Sequence, residues 1–118
     1  QSASTAIFRL HTTATSGNGT PATQTRFCTF VPRHSHVVYT RDRRGITRLF
    51  IDGEIAGSAA IPGTFEAWDA EFHFALANEL TLDRPWLGEL LRVTVYDEAL
   101  AVDEVAARFA TGPESDVR

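Results

Sequence analysis

The sequence predicts an all-β fold in which two antiparallel sheets pack as a sandwich, followed by one short C-terminal helix. Three observations carry this. Hydrophobic residues recur with period two along most of the chain, turn signals recur every ~8–12 residues, and a helical period occurs in a single segment near the end. With 118 residues, 43% hydrophobic and 22% charged, the chain suits one domain over 1–118 and is too short for two.

Taken in order, Ala6, Phe8 and Leu10 alternate with Ile7, Arg9 and His11 and predict an opening strand. Residues 14–22 are small and polar, with Gly17, Gly19 and Pro21, and predict a loop. Thr25, Phe27 and Thr29 alternate with Arg26, Cys28 and Phe30 until Pro32 ends the run, and His36–Thr40 predicts the next strand. After the Arg41–Gly45 turn come Thr47–Ile51, the pair Asp52-Gly53, and Glu54–Ala56. An Asp-Gly pair between alternating runs predicts a two-residue type I′ hairpin, whose central residues both need positive φ. Pro62-Gly63 opens a loop carrying Phe65, Trp68 and Asp69, and Phe72, Phe74 and Leu76 predict another strand. Asn78–Pro85 is a polar excursion, and Leu87–Tyr96 predicts the last strand, with Leu91, Val93 and Val95 facing the core. Val102, Val105, Ala106 and Phe109 fall at helical spacing, with Asp103 and Glu104 in the first turn and Gly112-Pro113 beyond the end.

Composition narrows the function classes. Net charge of −4 leaves no excess of positive charge to follow a phosphate backbone, so no nucleic-acid partner is expected. No run approaches the ~18–20 apolar residues of a membrane-spanning helix, and no membrane insertion is expected. Met is absent, so Gln1 is not a translation start and the chain is expected to be a processed product or part of something longer. All 11 basic residues are Arg. Cys28 cannot form an internal disulfide alone and reads as a buried, inert thiol in a strand.

Three stretches together carry a resemblance: His36-Val-Val-Tyr-Thr-Arg-Asp42, Thr47-Arg-Leu-Phe-Ile-Asp-Gly53, and Asp83-Arg-Pro-Trp-Leu-Gly-Glu-Leu-Leu-Arg-Val-Thr-Val-Tyr-Asp-Glu-Ala-Leu100. In order and spacing this combination resembles bacterial laminin G-like domains of the concanavalin A-like jelly-roll superfamily, over about residues 5–112. The resemblance implies an antiparallel two-sheet jelly roll. It also exposes departures. Ala101 stands where the family usually has a Ser or Thr helix cap, which forfeits on the order of 1 kcal/mol unless Asp103 compensates. Leu91 stands where relatives often carry an acid. Family members commonly place further strands before the segment matching Ile7–Thr13, and this chain starts almost directly at it, so it is expected to be the C-terminal part of a longer domain whose sheet is covered by a partner chain, an upstream segment or a second copy; the alternative is a smaller sandwich that closes on fewer strands.

Several constellations offer chemistry. Glu66, Asp69 and Glu71 superficially match the paired-carboxylate strand of family-16 glycoside hydrolases. Glu66 and Asp69 are three apart, however, and face opposite sides of an extended chain, and the third acid of the pattern falls at Ala67, so no catalytic residue is assigned. The laminin G-like resemblance makes this region a loop in which Trp68 packs. His34 and His36 share a strand face at metal-ligand spacing, but no acid or Cys completes the set, and His11 and His73 read as structural. Asn78, Glu79 and Asp83 supply oxygens of the kind calcium takes, and by that chemistry and by the resemblance they are the candidate calcium ligands. The alternative is loop packing, with Asp83 and Arg84 paired at the surface. Arg41, Arg43 and Arg44 form a basic turn beside Asp42, either simply solvated or facing an acidic glycan.

The expected function is a non-catalytic recognition or adhesion module that binds carbohydrate or protein within a larger secreted or cell-envelope protein. The alternative is a structural assembly subunit completed by strand pairing with another chain or copy. Glycan hydrolysis ranks below both.

Overall fold

The computed structural model describes residues 6–26, 34–66, 68 and 89–112. Five strands and one helix lie among them: β1 (Ile7–Phe8), β2 (Thr23–Gln24), β3 (Val37–Arg41), β4 (Ile46–Ile51), β5 (Glu54–Ala60) and α1 (Val102–Thr111). β1 and β2 pair antiparallel, and β3, β4 and β5 form a second antiparallel sheet in that order. The two-sheet, all-β architecture with a C-terminal helix is therefore the one the sequence predicts.

The Asp52-Gly53 hairpin forms as expected. Ile51 pairs with Glu54 across it, and both turn residues have positive φ, 52° and 85°, which Asp tolerates and Gly adopts freely. On β4, Thr47 and Leu49 are buried along one face, and Phe50 is buried on the other. The described core gathers Leu49, Phe50, Ala56, Ile61 and Val105 with five buried threonines, at positions 12, 23, 25, 40 and 47.

A bulge joins the two sheets. Leu49 pairs with Gly57 and Phe50 with Ile55, so Ala56 is the extra residue of β5. Its carbonyl accepts the backbone N–H of Arg26 at 2.9 Å, just past the end of β2. Next to it, Gly57 lies so close to β2 that a Cβ there would sit 2.0 Å from the Gln24 carbonyl oxygen. Inside this seam the Thr47 hydroxyl donates to the Ala59 carbonyl at 2.9 Å. Its single proton is then committed, so Thr23, 2.5 Å away, donates to Thr47. Thr25 Oγ1 accepts the Ala6 N–H at 2.9 Å, and Phe8 stacks on Tyr39 at 3.7 Å between centroids. The Thr23–Thr47 hydroxyl pair, costly to bury unpaired, thus holds β2 onto the larger sheet, and the Phe8–Tyr39 stack holds β1 there.

The helix begins where the sequence places it, although Ala101 offers no capping oxygen. Glu104, not Asp103, compensates: its carboxylate accepts the Ala101 N–H at 2.9 Å, which is half of a capping box. Val105 is fully buried, while Val102 is 52% exposed, so the buried stripe is narrower than the predicted one.

Two expectations are corrected. The second strand is Thr23–Gln24, ahead of the predicted start at Thr25, because Phe8↔Thr23 and Ile7↔Gln24 set its register; residues 27–30 lie outside the described set. Residues 89–96 form no strand, and Leu91, Val93 and Val95 are 56, 47 and 79% exposed. Alternation marks a segment able to be a strand, but a strand also needs a neighbour for its N–H and C=O groups, and none of the described strands pairs with this one. The predicted strand at 72–76 and Cys28 lie outside the described residues.

Gly57→Ala is expected to destabilise the chain by about 1–3 kcal/mol, because its methyl meets backbone and not a flexible side chain. Gly17→Ala, where nothing lies within 4 Å of the new carbon, is expected to stay within about 0.5 kcal/mol of wild type. Urea unfolding of both variants checks the contrast, and equal midpoints would rule out the close approach.

Candidate recognition site

The antiparallel order of β3, β4 and β5 gives the larger sheet two ends. One carries the Asp52-Gly53 turn. The other gathers the end of β3 at Arg41, the turn to β4 at Ile46, and the exit of β5 at Ile61. Against this second end lies the long connection between β1 and β2, so three loops make one rim.

Threonines tie the loops together. Thr12 Oγ1 donates to the Pro62 carbonyl at 2.6 Å and Thr13 N–H donates to the Thr64 carbonyl at 2.9 Å. Thr64 N–H donates back to Thr13 Oγ1 at 2.9 Å. From the sheet, Arg41 reaches across with its guanidinium. Its Nε and Nη2 donate to the Ile61 carbonyl at 3.1 and 2.9 Å, and Nη2 also to the Gly63 carbonyl at 2.8 Å. The same guanidinium lies over the Phe65 ring, 5.3 Å from its centroid.

Phe65 and Trp68 crown this scaffold. Their centroids are 4.8 Å apart with the rings tilted by 41°. They are 46 and 55% exposed, although the Trp68 indole N–H is fixed to the His11 carbonyl. The expectation that Trp68 packs into the loop is thus half met: its polar edge is bound and much of its ring faces solvent.

The basic turn beside the rim is not uniform. Arg41 is a structural tie, not a solvated charge. Asp42 Oδ1 accepts the N–H groups of Arg44 at 2.8 Å and Ile46 at 3.1 Å, and these bonds, Ile46 first, hold its carboxyl below its usual pKa. Asp42 Oδ2 lies 3.7 Å from Arg44 and 3.8 Å from Arg48. Arg43 and Arg44 are exposed.

The remaining predicted site residues fall elsewhere. Asn78, Glu79, Asp83 and Arg84 lie outside the described residues, as do Asp69, Glu71 and His73. Glu66 is exposed on the rim loop. His34 is exposed and meets Glu89 at 3.3 Å, while His36 sits at the hairpin end, its ring 5.9 Å from Phe109 of α1. His36 Nδ1 is buried without a partner among the described residues. Among those residues no three His, Cys, Asp or Glu side chains converge to hold a metal ion.

What sequence reasoning missed is the joint role of Arg41, Phe65 and Trp68. The available signal was a pair of aromatics three apart in a Pro-Gly loop, outside any alternating run. Comparison with known proteins gives one result: a family model described as the concanavalin A-like lectin/glucanases superfamily matches residues 3–106. No curated protein and no solved structure matches the chain.

Burial lowers the His36 pKa from its ordinary 6.5, against a smaller opposing effect of Asp52. The unfolded chain therefore takes up a proton at a higher pH than the folded one, and stability should fall as pH drops below about 6.5, levelling once the folded imidazole also protonates. Denaturation between pH 7.5 and 5 should show this slope in wild type and a smaller one in His36→Gln. Equal slopes would refute the assignment.

Proposed function

We propose that this chain, which belongs to the concanavalin A-like lectin/glucanases superfamily, is a non-catalytic recognition module that binds carbohydrate at the Phe65–Trp68 rim. In this reading it serves within a larger secreted or cell-envelope protein. Fold alone does not choose a function, so the site must carry the argument.

The carrying observation is the exposed, tilted aromatic pair on a braced loop. A sugar ring presents an apolar C–H face and an equatorial fringe of hydroxyls. The face is complementary to an indole or phenyl ring, and the fringe is complementary to loop carbonyls and hydroxyls such as those around Thr64. Because Arg41, Thr12, Thr13 and the His11 carbonyl already hold the loop, little ordering is left for the ligand to impose, and that lowers the free-energy cost of binding.

One observation favours the assembly reading as well. Leu90, Leu91, Val93, Val95 and Tyr96 are 42 to 79% exposed along one continuous segment, a concentration of apolar surface of the kind interfaces use. If this reading is right, light scattering will show a molar mass that falls on dilution, and a concentration-independent monomer would remove it.

The glycan reading predicts detectable binding on a carbohydrate array, with Phe65→Ala and Trp68→Ala each weakening it by about tenfold or more, as central aromatic anchors do. Circular dichroism and melting temperature confirm that the variants remain folded. An array with no binding, or alanine variants that bind as well as wild type, would falsify the assignment.

A further inference from the structure

We propose that α1 is an acid-released strap: uptake of a proton by His36 at the hairpin end undocks the helix from the larger sheet, while the sheet itself stays folded. The rim lies at the opposite end of that sheet, so the inference stands apart from the glycan reading.

The imidazole is the first support. The backbone of His36 is fixed to the turn: its N–H donates to Asp52 Oδ1 at 2.9 Å, and its carbonyl accepts the Asp52 N–H at 2.8 Å. Its ring lies against Phe109 of α1, with 5.9 Å between centroids and 29° between planes. Its Nδ1 is buried without a partner among the described residues. A neutral imidazole can leave that nitrogen bare, since one of its two ring nitrogens carries no proton. The imidazolium cannot, because both nitrogens then carry N–H groups, and a charged donor buried without an acceptor is costly. Water must reach Nδ1, and the ring stacked on His36 belongs to the helix.

The second support is the slightness of the docking. A helix of 10 residues is marginal by itself, since isolated helices shorter than about 12–15 residues scarcely form in water. Val105 is its only buried residue, and Val102 and Phe109 are 52 and 43% exposed. It also meets the chain through Arg108, 4.9 Å over the Tyr96 ring, and through Ala106 and Phe109, 3.6 and 3.2 Å from where a Gly53 Cβ would stand. The charged groups on the packed elements are Asp52 and Glu54 at the turn, Asp103, Glu104 and Arg108 on α1, and His34 ahead of β3. Glu104 accepts the Ala101 N–H, and His34 meets Glu89 at 3.3 Å. Asp52 alone of these acts on the imidazole; it favours the charged form, and burial outweighs it. The docked ring therefore takes up a proton less readily than the undocked one. Docking is at full strength above the ordinary value of 6.5 and weakens as pH falls below it, by up to about tenfold in the opening equilibrium per pH unit, until the docked ring also protonates.

The test is residue-resolved hydrogen exchange on the whole chain, expressed as protection factors so that the intrinsic pH dependence of exchange divides out. Between about pH 7.5 and 5, protection at Val105 and Phe109 should fall by roughly threefold or more, and at the lower pH it should be at least about tenfold below that of Leu49 and Phe50 in β4. In His36→Gln the fall at α1 should disappear. Equal protection of α1 and β4 at low pH, no fall in the wild type, or a fall of the same size in His36→Gln would overturn the strap. Nuclear magnetic resonance of the unaltered chain gives a second reading that needs no variant. The His36 ring should titrate with a midpoint below 6.5, and the Phe109 ring resonances should move with it. A midpoint at or above that value, or a Phe109 ring that does not respond, would overturn the strap equally.

Discussion

The contact between β2 and the bulged edge of β5 is the constraint on which the other placements depend. Ala56, the extra residue in β5, turns its carbonyl out of the β4–β5 ladder, and Arg26 N–H takes it. Gly57 beside it has no side chain, so the Gln24 carbonyl can approach to a distance no other residue permits. A bulge creates the acceptor and a glycine creates the room. The smaller sheet docks there, and the Thr23–Thr47 hydroxyl pair then closes a buried polar gap that would otherwise remain unsatisfied.

From that seam the two ends of the larger sheet acquire different characters. At the hairpin end, the side chain of Phe109 lies 3.2 Å from where a Gly53 Cβ would stand, so the turn residue that accepts positive φ also clears space for α1. His36 is caught between this helix and Asp52, whose Oδ1 accepts the His36 backbone N–H at 2.9 Å. That end combines the reciprocal His36–Asp52 hydrogen bonds with the packing of α1, whose Val105 is fully buried. The rim end is built the opposite way, from hydrogen bonds between loops, with its aromatic surface left outward. A packed end and a displayed end on one short meander suit a domain that presents a surface.

Legibility in the sequence followed locality. Asp52-Gly53 is a contiguous signal, and the strands either side of it, Val37–Arg41, Ile46–Ile51 and Glu54–Ala60, formed within a few residues of where alternation placed them. The helix was equally local, since Val102, Val105, Ala106 and Phe109 define one face by spacing alone. What escaped depended on partners far along the chain. Thr12 and Pro62 are 50 positions apart and Trp68 and His11 are 57 apart, and no periodicity encodes either contact. Residues 89–96 show the limit from the other side, because their alternation is complete while their pairing is a property of the fold. The same holds for the site: the arginine turn was visible as a charge run, but the division of labour within it was not.

That division explains how an exposed aromatic pair can be held in place by a residue of the sheet. Had Arg41 been solvated with its neighbours, the loop carrying Phe65 and Trp68 would have to be ordered by the ligand, at a cost of about 1–2 kcal/mol for each backbone residue fixed. Instead its guanidinium is committed to two carbonyls and one ring, so the aromatic surface is set before a ligand arrives. The residue that braces the aromatic surface thus lies in the sheet, behind the loop it holds.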